Sequence, residues 1–137
     1  MEEARWSTIV ESLVSRDVDA CVDAAARLHA EATVDDVPRL LELLQSDDFF
    51  VREAAAWPLA ELAGASVLGQ LFAAYQRGFD EGHDNDGFTA ALLEIPALYP
   101  AQSRQTLQRL VESREEPAKG HAAWLLTFCA AEGGNDA

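Results

Sequence analysis

The sequence predicts an all-α fold of about four helix pairs, in one domain over residues 1–131. Three observations carry that expectation. Apolar residues recur at helical spacing along nearly the whole chain, and no useful stretch alternates with period two. A small-residue pair returns in DAAARL (23–28), EAAAWPL (53–59), TAALLEI (89–95) and HAAWLLT (121–127), as Ala24/Ala25, Ala54/Ala55, Ala90/Ala91 and Ala122/Ala123, at separations of 30, 36 and 32 residues. Leu-rich segments precede the repeated helices, as in RLLELL (39–44) and LQRLV (107–111). A helix pair of this period buries its apolar faces against neighbouring copies, and alanines let the stacked helices approach closely.

The elements follow in order. Residues 3–15 form an amphipathic stretch with Trp6, Ile9, Val10, Leu13 and Val14. Asp17 opens a second, with Val18, Cys21, Val22, Ala25 and Leu28 turned inward. Thr33 and Asp35 cap a third, which carries Val37, Leu40, Leu41 and Leu44 and has Pro38 in its first turn. The fourth, within 47–64, has Pro58 in its interior. Residues 66–78 form the fifth, closed by Gly78. After the loop FDEGHDNDG (79–87) come a sixth helix at 88–99, a seventh at 102–114 and an eighth at 117–131. Pro58 and Pro96 each remove a helical hydrogen bond, so the fourth and sixth helices are expected to kink around their neighbours. Residues 132–137 read as a disordered tail.

Composition narrows the function classes. The formal net charge is -14, with 4 basic and 10 acidic residues over 1–46, 2 and 9 over 47–99, and 4 and 5 over 100–137. The acidity therefore belongs to the first two thirds. Such a surface repels phosphate backbones and acidic membranes and attracts basic proteins. No apolar run is long enough to span a membrane, and MEEARWSTIVESL is not a secretory signal, so the expected location is cytoplasmic. Cys21 and Cys129 read as small buried hydrophobes rather than as a disulfide or metal ligands. Abundant Ala and Arg with little Lys suit a high-GC bacterial source.

LLELLQSDDFFVREAAAWPLAELAG (40–64) resembles the HEAT repeat, in particular the short HEAT-like repeats first associated with bilin lyases. Asp47, Asp48, Val51, Arg52, Ala55, Ala56, Leu59 and Leu62 match that pattern, while the other three copies keep only the alanine pair. The resemblance implies a right-handed α-solenoid of about four helix pairs, its second helices lining a concave side. Ankyrin and tetratricopeptide patterns fit less well: the Thr-Pro start and glycine turn of the first are missing, and neither Trp57 nor Trp124 is followed by Leu-Gly.

In HEAT-like repeats the Arg and Asp of the motif bond across turns, so Arg52 is expected to be structural. Trp57 points away from the face of Val51, Ala55, Leu59 and Leu62, beside Phe50 and Glu61. Superposing the repeats places Trp57, Leu93 and Trp124 in one column, either as anchors for a partner or as packing between second helices. In the 79–87 loop, Asp80, Glu81, Asp84 and Asp86 offer an acidic contact surface, with Asp86 capping the next helix. An EF-hand register fails there, because it puts Gly82 at the first ligand position and Leu93 at the twelfth. His29, His83 and His121 lie in different repeats and read as surface or partly packed residues. No nucleophile elbow, phosphate loop or paired-histidine motif is present.

The sequence reading is thus a non-enzymatic, cofactor-free protein-binding module. It would act as an acidic adaptor or inhibitor, on the pattern of a bacterial immunity protein, and bind a basic partner through Phe50, Trp57, Glu61, Asp80, Glu81, Asp84, Asp86 and Trp124. The resemblance also implies an alternative, a chromophore- or small-molecule-handling lyase subunit. HEAT-like DNA glycosylases need a basic concave face, opposite to this charge. Monomer and homodimer both remain open.

Overall fold

A computed structural model describes residues 1–129. It contains α1 (Glu3–Leu13), α2 (Val18–Glu31), α3 (Val37–Leu43), α4 (Phe49–Leu62), α5 (Leu68–Asp80), α6 (Asp86–Leu98), α7 (Pro100–Ser113) and α8 (Ala118–Leu126). Short 3-10 turns at Val34–Asp36 and Gly64–Val67 lead into α3 and α5. There is no strand among the described residues. Among the described residues no helix is long and apolar enough to cross a membrane. The end of the eighth helix expected at 131 and the tail expected at 132–137 lie outside the described residues.

Local chemistry explains most boundaries. The Asp17 carboxylate accepts the Asp19 and Ala20 amides and starts α2, and Asp48 does the same for Phe50 and Val51 at α4. Before α3 the capping partner of Thr33 is Asp36, not Asp35: the Asp36 carboxylate accepts the Thr33 amide at 2.8 Å. Asp36 is fully buried, and Arg39 reaches it at 2.6 Å. Burial works against its ionised form, but the Thr33 amide, the Met1 ammonium and Arg39 together hold its carboxyl well below the ordinary range.

Helix α5 corrects the sequence reading at both ends. It starts at Leu68 and runs past Gly78 to Asp80, so the acidic connection shrinks to Glu81–Asn85. Gly78 does not close the helix. It makes room for the buried Asn85 side chain, which would lie 2.2 Å from a β-carbon there and which donates to the Tyr75 carbonyl at 2.8 Å. Both α4 and α6 continue through Pro58 and Pro96.

The helices pack in pairs α1/α2, α3/α4 and α7/α8, while α2, α4, α6 and α8 contact one another in succession. Leu28, Leu40, Leu59, Leu68, Phe72, Phe88, Leu92, Ile95 and Leu125 are completely buried where these layers meet. One alanine of each repeated pair is buried with them, Ala24, Ala55, Ala91 and Ala122, while Ala25 and Ala54 are half-buried and Ala90 and Ala123 are exposed, so only one side of each expected seam lies in the interior. The inward face expected for α2 is narrower than the sequence suggested, since Val18 and Val22 point to solvent. Helix α5 also leans on α8, through Tyr75 and Phe72 against His121.

Candidate functional site

A cleft of about 380 Å³ opens beside α2 and α4, where the start of α6 closes it. Ala25, Ala26 and His29 supply the α2 wall, Phe50, Glu53, Ala54 and Trp57 the α4 wall, and Gly87 the α6 end. Helical spacing produces this lining. Phe50, Ala54 and Trp57 succeed one another at four and three residues along α4, as Ala25 and His29 do along α2. Alanines on both walls leave the space that larger side chains would fill.

Trp57 stands at the rim, 47% exposed. Its ring lies 4.7 Å from that of His29, and its Nε1–H lies 3.1 Å from both Glu61 Oε2 and Glu94 Oε2. His29 Nε2 is 2.9 Å from the other Glu61 oxygen. Two carboxylates from α4 and α6 therefore converge on one indole donor. The remaining oxygen of Glu94 is buried without a partner. Burial and the neighbouring Glu61 push the Glu94 carboxyl upward, which the Trp57 hydrogen bond only partly offsets.

Glu53 marks the other end of the cleft. One of its oxygens sits against Gly87, whose backbone N–H favours the ionised form. A β-carbon at Gly87 would lie 2.4 Å from that oxygen, so glycine is what lets the carboxylate settle at the start of α6. Burial raises the Glu53 carboxyl, and the charges of Asp84 and Asp86 raise it further.

The eight expected contact residues thus separate into groups. Phe50, Trp57 and Glu61 come together at the cleft and its rim. Asp84 and Asp86 lie close enough to act on Glu53, and both are exposed. Asp86 is not the cap of α6 but its first residue; the Asp84 carboxylate accepts the Asp86 amide at 2.9 Å. Asp80 ends α5, exposed, and accepts from the Gln76 amide at 2.9 Å.

Glu81 is occupied inside the protein. It meets the fully buried Arg52 at 2.6 Å and Arg77 at 2.8 Å, and Arg77 with Arg52 holds its carboxyl down at about 2. Arg52 also donates to the Ser46 carbonyl at 2.9 Å, tying the α3–α4 turn to the end of α5. Trp124 lies apart from Trp57. It is half-buried, with its ring 6.0 Å from Tyr75 and edge-on to Phe128 at 5.5 Å.

Sequence reasoning missed His29 as a partner of Glu61, and it missed Glu53 and Glu94. The i, i+4 series Glu53–Trp57–Glu61 is readable on one turn-by-turn row, but the approach of α6 is not. Neither Cys21 nor Cys129 lines the cleft. Among the described residues no group of three His, Cys, Asp or Glu side chains is arranged to hold a metal ion. The chain was compared with known protein families, curated proteins and solved structures, and it matches none of them.

Proposed function

We propose that this chain is a short HEAT-like, right-handed α-solenoid serving as a non-enzymatic binding module for a basic protein, an acidic adaptor or inhibitor of the immunity-protein type. The succession of contacts from α2 through α4 and α6 to α8 supports the stacked arrangement, and the 40–64 repeat supports the class. One observation carries the binding reading. An exposed tryptophan borders an apolar cleft, and carboxylates from two helices surround it without a lysine or arginine partner among the described residues. Exposed aromatic anchors dominate interface energetics, and unneutralised carboxylates around them select for a cationic surface.

The test is affinity capture from lysate of the source organism, followed by mass spectrometry. The baits are the wild type, Trp57→Ala, and a triple variant carrying Asp80→Asn, Asp84→Asn and Asp86→Asn. A basic protein held by the wild type, lost from the Trp57→Ala bait and released by salt supports the reading. Retention of the same proteins by all three baits, or a partner indifferent to salt, overturns it.

A second reading, small-molecule handling, draws on the cleft volume, which lies within the range of ligand sites. Absorbance of the purified protein beyond the aromatic band would favour it.

A further inference from the structure

The cleft is amphipathic along its length. Small apolar side chains form its walls, and a carboxylate stands at one end. We propose that it receives one lysine side chain of the basic partner, with the methylene stem along Ala26 and Ala54 beside the Trp57 ring and the ammonium at the Glu53 carboxylate. This rests on the reading of the chain as a binder of a basic protein, and it names the group that enters.

The chemistry of each part favours that occupant. An alkyl stem with a charged head buries its methylenes against apolar surface while its charge is met by polar groups. Glu53 has no cationic partner among the described residues, and Asp84 and Asp86 deepen the negative potential around it. Burial has already raised its carboxyl, so an arriving cation meets a group whose ionised form is poorly stabilised.

Lysine is favoured over arginine by the geometry of Glu53. One carboxylate oxygen sits against Gly87, which leaves the other the more open of the two. A compact ammonium needs only one, whereas the guanidinium fork gains its advantage from two. An aliphatic side chain would leave Glu53 without a counterion.

The experiment is a titration of ¹⁵N-labelled protein with pentalysine at low salt, following the Gly87 amide and the Trp57 indole N–H. Pentaarginine is the parallel probe. Glu53→Gln keeps an acceptor for the Gly87 amide, and Ala26→Leu fills the cleft from an exposed position on α2. Saturable shifts at Gly87 and Trp57 with pentalysine are expected. Affinity should fall about tenfold in Glu53→Gln and at least fivefold in Ala26→Leu, and pentaarginine should bind several-fold more weakly than pentalysine. If pentalysine shifts only signals around Glu61 and Glu94 or the Glu81–Asn85 connection, the lysine inference fails while the basic-partner reading stands. The inference also fails if both variants bind like the wild type. If pentalysine shifts nothing, the basic-partner reading fails and takes the inference with it.

Discussion

The indole N–H of Trp57 lies 3.1 Å from a carboxylate oxygen of Glu61 and 3.1 Å from one of Glu94, so a single donor serves two acids from adjacent helices. One proton cannot satisfy both, and Glu94 is left with a buried oxygen that bonds to nothing. The arrangement costs stability in the free protein, and a cation would relieve it.

Neutralising Glu94 should therefore stabilise the free protein. Glu94→Gln keeps the acceptor for Trp57 and removes the like charge beside Glu61. Its melting temperature at pH 7 should rise by about 2–4 °C, measured by thermal unfolding. The same variant should bind the basic partner less tightly, a trade of stability for function. A melting temperature below that of the wild type would contradict the description of the pair.

The acids near the end of α5 should differ in kind. Arg52 is buried and bonded to Glu81 and the Ser46 carbonyl, so Arg52→Ala should cost about 3 kcal/mol in urea unfolding. Glu81→Gln should also lower the midpoint, because it strands the buried guanidinium. Asp80→Asn should leave the midpoint unchanged, since Asp80 is exposed and accepts only from Gln76. Equal effects of Glu81→Gln and Asp80→Asn would remove the distinction.

How much of this was legible in the sequence depends on the range of the interaction. The helices, the start of α2 at Asp17 and the burial of one alanine in each repeated pair follow from periodicity and local hydrogen bonding. Glu81 and the other loop acids looked equivalent because nothing in FDEGHDNDG marks which one meets a guanidinium arriving from α4. Gly78 looked like a helix stop because a glycine near a helix end usually is one. Its actual role, room for Asn85, depends on a side chain seven residues later folding back. The surroundings of Trp124 are set by a contact that superposing the repeats does not supply. Helix α5 leans on α8, and Tyr75 takes Trp124 as a ring neighbour. Contacts between pairs decided each of these, and the repeat pattern carries no record of them.

Gly64 should tolerate no side chain. Its φ is +54°, a conformation that costs an L-residue strain, and a β-carbon would lie 2.5 Å from the Tyr99 ring. Tyr99 in turn donates its hydroxyl to the Glu61 carbonyl, so the contact braces α4 where it carries the site. Gly64→Ala should lose about 2 kcal/mol or more in denaturant unfolding. The Trp57 indole signal should move with it.

Partner binding should depend steeply on ionic strength. The acid excess lies in the segments that build the cleft and its rim, so added salt screens the attraction. Association should slow about tenfold or more between 50 and 500 mM salt, with a smaller change in dissociation, by stopped-flow or surface binding kinetics. A salt-sensitive dissociation rate with constant association would locate the charges in the buried contact instead.

The pH profile should separate the acids that strain the fold from those that hold it. For Glu53 and Glu94 the folded carboxyl lies above its unfolded value, so the folded state takes up protons first as pH falls. Their penalty is fully present at pH 7 and disappears as pH drops through the raised values toward the unfolded range near 4. Asp36 behaves in the opposite sense. Its folded carboxyl lies well below the unfolded value, so its contribution is complete at pH 7 and fades only when pH falls below about 4 toward the folded value. His121, pushed down by burial against α5, loses stability for the fold as pH falls below about 6.5 and so opposes the gain from the two glutamates. Differences between variants and wild type cancel that background. The advantage of a Glu53→Gln, Glu94→Gln double variant over wild type should be largest at pH 7 and vanish near pH 4. The deficit of Asp36→Asn should hold constant from pH 7 to 5 and shrink below pH 4. Melting temperatures from pH 3 to 8 read both trends, and a double-variant advantage that grows on acidification would reverse the assignment of Glu53 and Glu94.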